Sequence, residues 1–396
     1  MRNHCHLLEV CRFAAHPRKA SAAGLFLCGI MLATQACGGG NSGGGSSGGG
    51  NPTPPPPPPA PAFTTIDAPK AGTTKDLGTT AQGINSGGDI AGFFTDANNT
   101  SHGFVQTSAG TLTVFDAPGA GTLDSTGTNS QCINSSGTIV GSFVDQQLVA
   151  HGYTRAQDGT FTTFDVPGSS VTIPFGINDG GVVTGEFLDV NQFAHGFVRA
   201  SDGTFTTFDA PGVGGGSFSG TLPMWINAGG TVVGFFTDTN GVNHGFQRAA
   251  NGTFTVLDAP GAGTIAGSGT QAFGINTSGA IVGILFTQSQ NHSFLLAADG
   301  AYTVFDPPGT EVPQGVVGGS GAVSINDTGA VLGNYTDASD KQHGYLRNAD
   351  GTFTTLDDPN ATGTFGGTNV LQSNTNGAIV GVYFDSMGVR HGFIWQ

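Results

Sequence analysis

Basic charge is what this chain has least of. Lysine and arginine number 12 against 27 acidic residues, for a net charge of −15. A surface that tracks phosphates needs a basic face, so the sequence excludes a nucleic-acid binder. Charged residues make up only 10% of the total; the acidity keeps a glycine-rich chain soluble and names no partner. Past the leader, no stretch keeps a 3.6-residue apolar period over three turns, which argues against a helical core. The apolar run Ala20–Ala33, "ASAAGLFLCGIMLA", has 14 residues, fewer than the roughly 20 a membrane span takes. Cysteine is sparse too. Of five, Cys5, Cys11 and Cys28 lie in the leader and Cys37 ends it. Cys132 has no second cysteine in the body to pair with, and it reads as a small buried filler.

The first residues form an export signal. Arg12, Arg18 and Lys19 precede the apolar run, and small residues follow in "TQAC", the secretory order. Because it ends on cysteine, the signal resembles that of a bacterial lipoprotein, although Thr34 stands where that motif usually has leucine. The resemblance implies that Cys37 becomes the lipidated first residue, holding the protein in the cell envelope or at the surface. Cleavage without a lipid, giving a secreted protein, is the alternative. After the signal (1–37) comes a tether (38–61). "GGGNSGGGSSGGGN" is a flexible coil spanning roughly 20 Å, and "PTPPPPPPAPA" is polyproline II, extending about 3.1 Å per residue. A proline-rich recognition motif is the rival reading; the position between anchor and body favours a spacer.

The body, 62–396, is a repeat. Its histidines fall at His102, His151, His195, His244, His292, His343 and His391. Two other markers keep step. One is an aspartate, at Asp67, Asp116, Asp165, Asp209, Asp258, Asp306 and Asp357. The other is an asparagine, at Asn85, Asn134, Asn178, Asn227, Asn276, Asn326 and Asn374. Segments such as "GTIVGSFVD", "HGYTR" and "TFTTFDV" are rich in β-branched and aromatic residues, and "QDGT" and "SDGT" are hairpin turns. A less regular segment leading into "FGIN" supplies a fourth strand. The body opens with "FTTIDAP", which elsewhere follows "HGF", and closes with "HGFIWQ", which elsewhere precedes "FTTFD". The chain is therefore cut inside a unit. An open solenoid needs no such complementary ends. The expectation is an all-β, seven-bladed β-propeller with about four antiparallel strands per blade, closed by pairing of the N- and C-terminal strands.

"GINTSGAIVG" and "INSSGTIVG", each followed by a His-x-aromatic strand, resemble the bacterial HAF-family extracellular repeats. All seven units carry the likeness. It departs in having His-Gly-Phe for His-Ala-Phe and in lacking a following tryptophan except at Trp395. The resemblance implies an exported, propeller-like protein and carries no activity.

Histidine and aspartate are 14 residues apart in the six uninterrupted cases, with an Asp-Gly or Asn-Gly turn near the midpoint in most. Equidistant from a turn, they are cross-strand neighbours, placed for a charge-assisted hydrogen bond. Every histidine of the body belongs to the repeat, so none is left for a singular catalytic role, and no catalytic residue is assigned. One histidine per blade is too dispersed for a shared metal site, so no metal or other cofactor is implied. "DTNG" at 238–241 starts like a calcium loop but lacks the later ligands. The singular polar residues Glu186 and Asn334, together with Trp225, are the candidate ligand contacts. Glu186 and Asn334 precede the large apolar residue of the "G-x-F" positions, on a face that either lines a channel or forms an exposed edge; Trp225 reads either as a binding anchor or as core. The loops between Asp-x-Pro and the next asparagine differ most and are the expected binding determinants. The expected function is that of an exported, surface-anchored, monomeric binding or scaffolding propeller for a protein or glycan. An extracellular lyase or glycoside hydrolase, or a purely structural surface protein, is the alternative.

Overall fold

The computed structural model describes residues 61–215, 220–311, 318–363 and 366–396. The expected export signal, Cys37 and all but the last residue of the expected tether lie outside the described residues. Those described form 28 strands and no helix.

One unit shows the plan. Strands β2 (Gly78–Ile84), β3 (Ile90–Thr95), β4 (Ser101–Gln106) and β5 (Leu112–Phe115) form an antiparallel meander. Its register runs through Gly78↔Thr95, Thr95↔Ser101 and Gly103↔Phe115. The inner strand carries a one-residue bulge at Gln82, between Ala81 and Gly83. The same irregularity recurs between Ser130 and Cys132 and between Ala272 and Gly274. Proline, which cannot donate to a ladder, sits beside it at Pro174 and Pro223.

The meanders merge into sheets of 12, 4, 8 and 4 strands. What joins neighbours is a single parallel bridge, such as Ser101↔Gly127 or Asn243↔Gly269. At Gly269 φ is +120°, and a Cβ would collide with the carbonyl oxygen of Asn243. Only glycine permits that approach. The bridges Ala194↔Gly220, Asn291↔Gly319 and Gln342↔Gly367 stand alone and do not merge sheets. In the last unit, β26 (Thr368–Ser373), β27 (Ile379–Phe384) and β28 (Arg390–Trp395) are completed by β1 (Phe63–Ile66). The register runs from Phe63↔Trp395 to Ile66↔Gly392. The chain's first strand is thus the outer strand of its last unit.

The core is built by the aromatic two residues after each histidine. Phe104, Tyr153, Phe197, Phe246, Phe294, Tyr345 and Phe393 are all fully buried, each worth roughly 1.5–3 kcal/mol. In the first unit Phe104 lies over Gly92, where a Cβ would sit only 2.6 Å from the ring. The glycine of the "IAG" strand is the space the ring occupies. Cys132 is fully buried in the largest apolar cluster, but it is disulfide-bonded, which corrects the expectation of an unpaired filler.

Candidate functional site

Each histidine stands at the start of the third strand of its unit, and its aspartate follows the fourth. In the third described meander the register Gly196↔Phe208 carries His195 opposite Asp209 by one more step. Nδ1 of the ring faces the carboxylate at 2.9 Å for His102–Asp116, 2.9 Å for His151–Asp165 and 2.9 Å for His195–Asp209. The distances are 2.8 Å for His244–Asp258, 2.7 Å for His292–Asp306 and 2.8 Å for His343–Asp357. The pair formed across the chain ends, His391–Asp67, is 2.9 Å. Because an ionised carboxylate only accepts, Nδ1–H is the donor in each.

The ring has two further neighbours. It stacks on the large residue of the preceding strand: Phe94, Phe143, Phe187, Phe236, Tyr335 and Tyr383 lie 4.9–5.2 Å away between centroids. In every pair but that of His292, Nε2 points toward a second aspartate six residues earlier, from 3.1 Å at Asp337–His343 to 3.9 Å at Asp189–His195. That aspartate also ties the turn between strands, accepting backbone N–H groups two and four residues on, as Asp145 does from Gln147 and Val149. Burial acts to raise the pKa of Asp337. The Ser339 hydroxyl, Lys341 N–H, His343 and Ser339 N–H outweigh it and hold the carboxyl well below its ordinary range. Asp96 and Asp238 follow the same pattern, and Asp189 is lowered chiefly by the Phe193 N–H. Among the described residues no group of three His, Cys, Asp or Glu is placed to hold a metal ion.

The asparagine marker does something that sequence reasoning did not assign. Its Oδ1 caps its own turn, as Asn276 does for the N–H of Ala280. Its Nδ2 donates to the backbone carbonyl of the corresponding asparagine in the next unit. Asn85 reaches Asn134, Asn134 reaches Asn178, Asn178 reaches Asn227, and Asn227 reaches Asn276, each at 3.1 Å. Asn276 reaches Asn326 at 3.1 Å, Asn326 reaches Asn374 at 3.4 Å, and Asn374 returns to Asn85 at 3.2 Å. The cycle is complete.

The ligand-contact candidates are not brought together. Glu186, 1% exposed, lies on β11 (Val183–Leu188) between Ile173 and Gly196. The Asn334 amide is committed to one backbone unit of the neighbouring meander. Its Nδ2 donates to Val370 O at 3.1 Å and its Oδ1 accepts from Val370 N–H at 2.9 Å. Trp225, read either as a binding anchor or as core, is core: it belongs to the inner strand β14 (Thr221–Ile226) and is 1% exposed among Cys132, Ile177 and Ile275.

Among solved structures, one described as the streptogramin B lyase structure is similar at a TM-score of 0.52 and 16% identity, over 84% of this chain and 97% of that one. The β-propeller domain of the Trilobed protease from Pyrococcus furiosus is similar at 0.49 and 12%, over 80% and 95%. The fold is a β-propeller. The BP39L lectin from Burkholderia pseudomallei is similar at 0.46 and 10%, over 69% of this propeller and 82% of the lectin. No protein-family model matches the chain, and no curated protein does. At such identities the likeness extends to the propeller fold and not to activity.

Proposed function

We infer that this is an exported, non-catalytic binding propeller of seven blades, closed into one ring and tethered to the cell envelope through a lipid on Cys37. Two features support closure: the asparagine cycle that returns from Asn374 to Asn85, and the pairing of β1 with β28. Export and lipidation rest on the leader, and the kinship with HAF-type extracellular repeats rests on the glycine-spaced core. The observation that carries the binding reading is the sameness of the His–Asp pairs. A catalytic centre concentrates unlike groups in one place, whereas here each unit has one pair at 2.7–2.9 Å. They act as locks between the strands of a blade. The differences between units lie in the loops, where a rigid scaffold carries recognition. The partner is a protein or a glycan.

The test uses the full chain, immobilised and exposed to an envelope extract and a polysaccharide panel. The reading predicts saturable retention of a partner without change in polysaccharide chain length. Depolymerisation of any polysaccharide, abolished by a single carboxylate substitution, would replace this reading with the enzymatic one.

A further inference from the structure

The two ends of the propeller differ in chemistry, and the chain enters at only one of them. Third strands run from the histidine end to the Asp-Gly-turn end. β28 follows that course from Arg390 to Trp395, and β1 begins beside Trp395. Ala62 N–H donates to the carbonyl of Gln396 at 2.9 Å. Pro61, the first described residue, therefore enters at the Asp-Gly-turn end.

Although Asp158, Asp179, Asp202, Asp299, Asp327 and Asp350 lie in turns of the opposite end, the histidine end holds the larger share of the carboxylates. Every unit brings its Asp-x-Pro aspartate there, and most add the turn aspartate, as with Asp145 and Asp165 around His151. Among the described residues the exposed cations at this end are Lys70 and Lys75, with Lys341 half-buried. Arg155, Arg199, Arg248 and Arg347 all finish their strands at the opposite end, stacked 4.7–4.8 Å over phenylalanine rings. Exposed apolar side chains divide the same way. Leu123 (59%), Val190 (79%), Ile265 (49%) and Met387 (64%) occupy loops and turns of the histidine end. The remaining large ones, Val114, Val256 and Val304, lie on outer strands.

This end also carries a groove of about 550 Å³, lined by Gly119, Phe143, Asp145, Gln147, His151 and Asp165. Its floor is the stacked Phe143–His151 pair, and the Asp165 side chain is half exposed at its rim. A wall of aromatic carbon with a carboxylate on either side suits a long aliphatic side chain ending in a cation.

We propose that the histidine end is the docking face, and that its partner is a basic polypeptide whose lysine or arginine side chains enter this groove and whose apolar residues meet the exposed Leu, Val, Ile and Met side chains. The proposal rests on the binding reading above and specifies its partner and face.

The probe is a synthetic peptide alternating lysine and leucine, titrated against the purified full chain, with a glutamate–leucine peptide as control. Two variants add the same charge to exposed turns at opposite ends. Gln147→Lys lies at the groove, and Gln157→Lys lies on the Asp-Gly-turn end. Neither residue is itself a member of a His–Asp pair, and matching melting curves check that both fold. The expected result is that the lysine peptide binds and the glutamate peptide does not. Gln147→Lys should weaken binding about threefold or more, Gln157→Lys should leave it within about 1.5-fold, and added salt should weaken binding throughout. Equal effects of the two variants would reduce the interaction to net charge and overturn the proposal. Failure of the peptide to bind, with a glycan retained instead, would overturn it while leaving the binding reading intact. Polysaccharide cleavage would sink that reading itself.

Discussion

The units around His343 and His292 are built to the same plan with different parts. His343 stacks on Tyr335, meets Asp357 through Nδ1 at 2.8 Å and meets Asp337 through Nε2 at 3.1 Å. His292 lies opposite the aliphatic Leu285, and Thr287 replaces the turn aspartate. Its Nε2 faces the Gln290 amide at 3.0 Å. What survives is the Nδ1 bond, to Asp306 at 2.7 Å. That bond is the common lock; the aromatic platform and the second carboxylate are additions. The His292 unit compensates inside. Ser293 stands where the other units have glycine, and its hydroxyl joins Ser320 at 2.7 Å and Tyr345 of the next unit at 2.8 Å. Asp306 in turn accepts from the Ser320 hydroxyl at 2.7 Å. The stacked ring and the second carboxylate are exchanged for a buried hydroxyl network.

Removing the platform should have the largest effect. Tyr335→Ala is expected to cost about 3–5 kcal/mol in denaturant unfolding, and Leu285→Ala about 2–4. Tyr335→Leu, which copies the other unit, should cost much less than Tyr335→Ala; equal costs would show that the ring, and not its volume, matters. Next comes the histidine. His343→Ala should destabilise by roughly 2 kcal/mol and His292→Ala by about 1, because the former loses a stacked ring and two partners.

The turn carboxylate gives a smaller effect with a definite pH dependence. The folded-state pKa of Asp337 is depressed, so its contribution is complete above the unfolded value near 4 and is lost as pH falls through the folded one. The melting-temperature gap between the native chain and Asp337→Asn should be open at pH 7 and narrow steadily below about pH 4. The His292 unit, with Thr287, should show no such titration when Thr287→Val is compared across the same range. The smallest effect is the reverse graft. Thr287→Asp gives His292 an exposed second partner and should add no more than about 1 kcal/mol.

How much of this was legible in the sequence depended on distance along the chain. The His–Asp pair is a hairpin contact symmetric about an Asp-Gly turn, so counting 14 residues was enough to expect it. The complementary ends, "FTTIDAP" and "HGFIWQ", likewise announced the pairing of β1 with β28. The asparagine cycle was visible only as a marker, because each link spans 44 to 50 residues along the chain, or the two chain ends. No local rule connects a side-chain amide to a carbonyl in the next unit. The strand that carries Trp225 was hidden for a related reason, although the core reading of that side chain holds. Glycine-rich sequence on either side reads as loop, yet the ladder with β15 (Val232–Thr237) makes 221–226 a buried inner strand. Asn334 looked singular, and its singularity serves a clasp on Val370.

The claim on which the account turns is that the seven His–Asp pairs hold the propeller together and do no chemistry on a ligand. Its most direct test is the set of seven single His→Ala variants of the full chain, each measured for unfolding free energy and for retention of envelope partners. The account predicts that all seven are destabilised, by about 1–2 kcal/mol, with His292→Ala the mildest, and that all seven still retain the partner while folded, His151→Ala more weakly because its ring lines the groove. A single variant that keeps full stability and loses all retention would contradict it.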